Sequence, residues 1–114
     1  MQYALMIYVD PTAPMGSSED ETAAITAEYM AIREDPRCLD GASLAPVEAV
    51  STVRVHAGDA LVTDGPFADT KEVLGGYYLI DVDDLDAALE FAGRIPAARM
   101  GGAVEVWPVD FRRE

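Results

Sequence analysis

The run from Tyr3 to Val9, YALMIYV, is the strongest constraint on the fold. It alternates as a β-strand, with Tyr3, Leu5, Ile7 and Val9 on one side and Ala4, Met6 and Tyr8 on the other. Both sides are apolar, so both must be covered. Asp10 cuts the run short, and no basic leader or small-residue cleavage site accompanies it, so it does not read as a signal peptide. The chain offers only two further stretches with helical character, which limits the cover it can supply from within.

The first of these opens at Ser18-Glu19-Asp20-Glu21, which has the spacing of a capping box, with three acids in the first turn to suit the helix dipole. A helix is predicted from there toward Asp35, with Ile25, Tyr29 and Ile32 on its buried stripe and Pro36 ending it. The second is predicted after a cap at Asp83, with Leu85, Ala88, Leu89 and Ala92 at i, i+3, i+4 and i+7, and with Gly93 placed to end it.

Between the helices the pattern is of strands. A short one is expected around Gly41 to Leu44. Val50 to His56 alternates well, Ala57-Gly58-Asp59 makes a turn, and Ala60 to Asp64 returns. Val73 to Val82 is a further strand, with Gly75-Gly76 inside it marking a bulge or a close backbone approach. Pro96 to Met100 suits a short helical turn, and Val104 to Val109 the last strand, with Glu105 and Trp107 on one side.

The order is thus β-α-β-β-β-β-α-β. With one hairpin removed this is the split β-α-β pattern of a ferredoxin-like α+β fold. The 114 residues, half of them hydrophobic, suit a single domain over residues 1–114 with an ordinary core. Two helices cover one face of the sheet. The face left open implies a partner, and a homodimer supplies it by two-fold symmetry.

Charge excludes other classes. Eight basic residues against 21 acidic ones leave a net charge of −13, which repels phosphate backbones and anionic membranes, so neither nucleic acid nor membrane is an expected partner. No run reaches the length of a membrane span, and a cytoplasmic location is the default expectation. One cysteine, Cys38, and one histidine, His56, do not make a zinc site or a disulfide, so no metal or cofactor is expected. Cys38 has no histidine pattern around it and reads as a plain reduced thiol.

The stretch Leu61 to Val82, LVTDGPFADTKEVLGGYYLIDV, resembles the signature of the DGPF-type branch of the YCII-related family. The resemblance continues through DLDAALEFAGRIPAA to VEVWPV, and takes in MIYVD and STVRVHAG before the motif. It implies a ferredoxin-like fold paired into a dimeric α/β barrel. It implies little chemistry, since the family's molecular function is not established. Some members are linked to sigma factors, which offers regulation of transcription as a role. Others carry a His–Asp acid–base dyad with the histidine on the first helix. Ser18 to Asp35 contains no histidine, so that dyad does not carry over.

The motif concentrates the candidate residues. Lys71 is the only lysine of the chain, suited to holding an anion as a point charge or to acting as an acid; the structural alternative is a loop-fixing pair with Asp64, Asp69 or Glu72. Asp64, Asp69 and Glu72, with Lys71, are the catalytic candidates, because carboxylates held together split their pKa values into acid and base roles. Asp64 also suits turn chemistry before Gly65-Pro66, and Phe67 suits either a pocket wall or the loop's anchor. Arg54 shares a strand face with His56 and is placed to hold a carboxylate or phosphate if that face lines a cleft. Gly75 and Gly76 allow close approach, and of Tyr77 and Tyr78 one belongs to the core and one to the cleft. The ligand-binding set is therefore Arg54, Asp64, Gly65, Pro66, Phe67, Lys71, Gly75, Gly76 and Tyr78, with Asp64 and Lys71 expected at one cleft beneath the motif loop. Small-molecule binding between sheet and loop, with acid–base chemistry open, is the leading reading. A regulatory module acting through protein contacts is the other.

Overall fold

Four antiparallel strands form one sheet in the order β2-β5-β1-β6, from β1 (Gln2–Val9), β2 (Cys38–Ser43), β5 (Val73–Asp81) and β6 (Ala103–Pro108). The computed structural model describes residues 1–13, 16–68 and 70–112. The sheet order is the one a split β-α-β unit produces, once β3 (Ser51–His56) and β4 (Asp59–Asp64) are set aside as a separate hairpin. The result is an α+β fold compatible with the ferredoxin-like class.

Both helices pack on one face. Helix α1 (Glu19–Glu34) starts where Ser18 Oγ accepts from the Glu21 amide at 3.1 Å, and the Glu21 carboxylate reaches back to the amide of Ser17, one residue before the cap. Helix α2 (Leu85–Gly93) is capped by Asp84, not by Asp83: the Asp84 carboxylate accepts from the Ala87 amide at 2.9 Å. Either aspartate could serve, and the cap goes to the one that places Ala88, Phe91 and Ala92 against the sheet. Those three join Ile32, Tyr3, Leu5, Ile7, Tyr78, Ile80 and Ile95 in the core. Leu85 and Leu89, expected on the buried stripe, are half exposed. A 3₁₀ turn over Pro96–Arg99 leads into β6.

The sheet's other face presents Ala4, Met6 and Tyr8, flanked in register by Tyr77 and Leu79 of β5 and by Glu105 and Trp107 of β6. Trp107 is 57 % exposed. The residues expected to need cover from elsewhere are thus on this open face, and Tyr77, not Tyr78, is the tyrosine that belongs to it.

The glycine pair in β5 is a bulge. Opposite Ile7 and Tyr8 of β1 stand Gly76 and Leu74, so Gly75 is the extra residue. Gly76 also meets β2 so closely that a Cβ there would lie 2.7 Å from the Ala42 carbonyl oxygen.

Among the described residues the β3–β4 hairpin pairs only with itself. Its two-residue turn has positive φ at both Ala57 (51°) and Gly58 (84°), the geometry whose twist suits a tight hairpin. It stands off the body as an arm. The radius of gyration is 15.9 Å, against about 13 Å for a compact chain of this length.

Candidate functional site

A cavity of about 650 Å³ lies between α1, the bulged end of the sheet and the segment that follows β2. That volume suits a small organic ligand. Its walls are mostly apolar: Val9 from β1, Tyr29 and Met30 from α1, Leu44 and Val47 after β2, and Leu74 from β5. The Gly75–Gly76 bulge is part of the wall, so the missing side chains leave space there. The polar content is small. Arg33 is the one cation among the described lining residues, and Glu48 the one carboxylate. Arg33 forms no ion pair among the described residues, although it sits in the last turn of α1.

Tyr78 lines the cavity with its ring, but its hydroxyl donates to the Tyr29 carbonyl oxygen at 3.1 Å. Burial pushes the Tyr78 phenol above its ordinary range, as it does that of Tyr29. Both hydroxyls are therefore protonated at neutral pH, and that of Tyr78 is engaged with the backbone. No imidazole or thiol lines the cavity among the described residues. Cys38 lies outside it with its thiol raised by burial, as an unreactive cysteine would be.

The motif residues divide into two groups away from this cavity. Gly65 adopts a left-handed φ of 96°, and its backbone is tied to β3 and its approach: its amide donates to the Val50 carbonyl at 2.7 Å and its carbonyl accepts from Thr52 Oγ1 at 2.7 Å. This turns Pro66 and Phe67 back along the arm, where the Phe67 ring lies 4.4 Å from the Arg54 guanidinium. Arg54 thus stacks on an aromatic ring, and Phe67 is the loop's anchor on the arm although 72 % exposed. Asp64 pairs with Ser51 across the hairpin.

Lys71 forms the second group. Its ammonium lies 4.0 Å from Asp10 Oδ2, and its side chain is 75 % exposed. The expected meeting of Lys71 with Asp64 at one cleft is not found: no ion pair joins them among the described residues. The reason is tertiary, because the loop after β1 comes alongside the return into β5 and presents Asp10 first. Hydrogen bonds from Thr12 hold the Asp10 carboxyl below its ordinary range, with Lys71 adding a smaller effect. Asp69, the remaining catalytic candidate, lies outside the described residues, and Glu72 is not on the cavity wall. Of the expected ligand-binding set, Gly75, Gly76 and Tyr78 reach the cavity; Arg54, Asp64, Gly65, Pro66, Phe67 and Lys71 do not line it.

Sequence reasoning missed Arg33 and the stretch from Ser43 to Glu48. A basic residue in the last turn of a helix is usually a partner of the helix dipole and draws no notice. The signal available was position: Arg33 is four residues beyond Tyr29, so the two lie on one helical face.

A polar cluster interrupts the open sheet face. The Trp107 indole N–H donates to Glu105 Oε1 at 3.2 Å, and the same carboxylate raises the Tyr8 phenol by hydrogen bond and by charge.

The model of the YCII-related domain matches residues 1–110. An uncharacterised protein of Rhizobium meliloti (strain 1021) is 38 % identical over 114 residues, which cover 96 % of this chain and 92 % of that protein. Both matches run over nearly the whole sequence, and the chain belongs to the YCII-related family.

Proposed function

We propose that the protein binds a small amphipathic carboxylate in the cavity beneath α1, and that it does so as a homodimer closed through the open sheet faces into an α/β barrel. The observation that carries the ligand reading is the makeup of the wall: a mostly apolar cavity of about 650 Å³ in which, among the described lining residues, Arg33 is the one cation and Glu48 the one carboxylate. An apolar wall takes the hydrocarbon part of a ligand, and a guanidinium fixes a planar anion in two parallel hydrogen bonds. Acid–base catalysis is not part of this reading, because proton transfer needs groups within hydrogen-bond reach of the substrate. Asp64, Lys71 and Glu72 are not among the residues that line the cavity. The dimer draws its support from the open face, where Met6, Tyr77, Leu79 and Trp107 are left partly exposed.

Octanoate and octanol make a matched test, since they differ in the charged head and share the tail. Octanoate at a hundred times its dissociation constant adds about 2.7 kcal/mol, or roughly 10 °C in melting temperature for a chain of this size. Octanol is expected to give a much smaller shift, and Arg33→Gln should remove the difference between the two. No response to octanoate at millimolar concentration, or the same preference for it in Arg33→Gln, would overturn the ligand reading. It would leave the protein-contact role as the better account.

A further inference from the structure

The hairpin arm has two unlike faces. Cross-strand register places Val53 opposite Val62 and Val55 opposite Ala60, so these four share one face, with the Ser51–Asp64 pair at its base. The opposite face carries Thr52, Arg54, His56, Asp59, Leu61 and Thr63, with Phe67 stacked over Arg54. The apolar face is uncovered: Val53, Val55 and Val62 are 61 %, 70 % and 66 % exposed. A two-stranded hairpin without a packed face is marginal in water. An arm built with a valine face is therefore built to lie against something.

Two observations say what. A folded monomer of 12.2 kDa exposes about 6,100 Å². This chain exposes 7944 Å². The excess of roughly 1,800 Å² per chain falls within what each partner of an obligate dimer buries, about 1,000–2,500 Å². Charge points the same way. From Val50 to Phe67 the ionised residues are Arg54, Asp59 and Asp64, so this segment carries little of the net −13. A second, equally acidic copy meets little repulsion there.

We infer that the β3–β4 arm is a clasp whose Val53–Val55–Ala60–Val62 face packs on a second copy of this chain. The inference rests on the homodimer proposed above and assigns it a second contact, separate from the sheet faces.

Hydrogen exchange on the unmodified protein, run beside sedimentation over a dilution series, tests it. Protection of the amides of residues 51–64 is expected to rise with concentration in step with the dimer fraction. A Val53→Asp, Val62→Asp variant, altered only on the exposed arm, is expected to fold and to weaken dimerisation roughly tenfold or more. A wild-type chain that stays monomeric at tens of micromolar would overturn both the clasp and the sheet-face dimer. A dimer whose arm amides exchange freely, or whose valine variant associates as tightly as wild type, would overturn the clasp alone. Arm amides equally protected in the dilute monomer would do the same, because the covering surface would then lie within one chain.

Discussion

Gly76 and Gly93 show how differently two glycines of one chain constrain it. A Cβ at Gly76 would lie 2.7 Å from the Ala42 carbonyl, and neither backbone can give way without breaking the β2–β5 ladder. Gly76→Ala should therefore cost about 1–3 kcal/mol, read as a lowered melting temperature. At Gly93, the last residue of α2, an added Cβ meets open space. Gly93→Ala should be neutral or stabilise by up to about 1 kcal/mol in the same assay. The pair Gly75-Gly76 was legible as a bulge because two adjacent glycines in a strand have few other uses. Asp35 was legible only as a helix end. Its Oδ1 accepts from Arg37 Nε at 3.0 Å and its Oδ2 from Arg94 Nη1 at 3.2 Å, and both guanidiniums lie within 5.2 Å of the Phe91 ring centre. Arg37 above all, with Arg94 after it, holds the Asp35 carboxyl far below its ordinary value. A depressed carboxyl stabilises the fold above its unfolded value near ~4 and loses that contribution as pH falls toward the folded value. The acid limb of a melting-temperature profile should accordingly be shallower below pH ~4 in Asp35→Asn than in the wild type, from a lower neutral plateau. Asp35 and Arg94 are 59 positions apart, and no local pattern announces such a pair.

The elements themselves were largely readable, since each is declared by its own residues. The capping spacing at Ser18, the alternation of β1, β3 and β5, and the turn at Ala57-Gly58 are local signals. What failed at this scale was the choice between equivalent local solutions. Asp83 and Asp84 both suit a cap, and Leu85 and Leu89 have core spacing although Phe91 fills the buried position they were expected to take. The motif loop is the clearest case. Its residues were read as a lid over the sheet, yet Gly65 bonds to Val50 and Thr52 and so turns the loop along the arm. A glycine at positive φ sets where a chain turns but not which surface it turns onto. The Arg54–Phe67 stack is the loop's side-chain tie to the arm among the described contacts. Phe67→Ala should cost about 0.5–1 kcal/mol locally. The expected readout is faster hydrogen exchange at the Gly65 amide with the global melting temperature nearly unchanged.

At the level of the whole molecule, the open face combines an apolar surface with an exposed carboxylate, Glu105, near its middle. Glu105 sits between Tyr8 and Trp107, and two copies brought face to face would each carry it into the contact. Glu105→Gln should tighten the dimer, read by sedimentation as a dissociation constant lowered several-fold. Added salt should tighten the wild type too, since screening relieves the repulsion between two chains of net charge −13. The apolar open face was legible from β1 alone; the arm's valine face was not, because a register must be known before four residues can be placed on one side of a hairpin. The sheet order has a consequence for the making of the protein. Strand β1 is flanked by β5 and β6, so both of its neighbours are synthesised after residue 72. At roughly 5–20 residues per second the ribosome takes several seconds to reach the first of them. For that interval the nascent chain trails a sticky β1 without its sheet neighbours, and the acidic helix α1 that emerges next is its first solubilising companion.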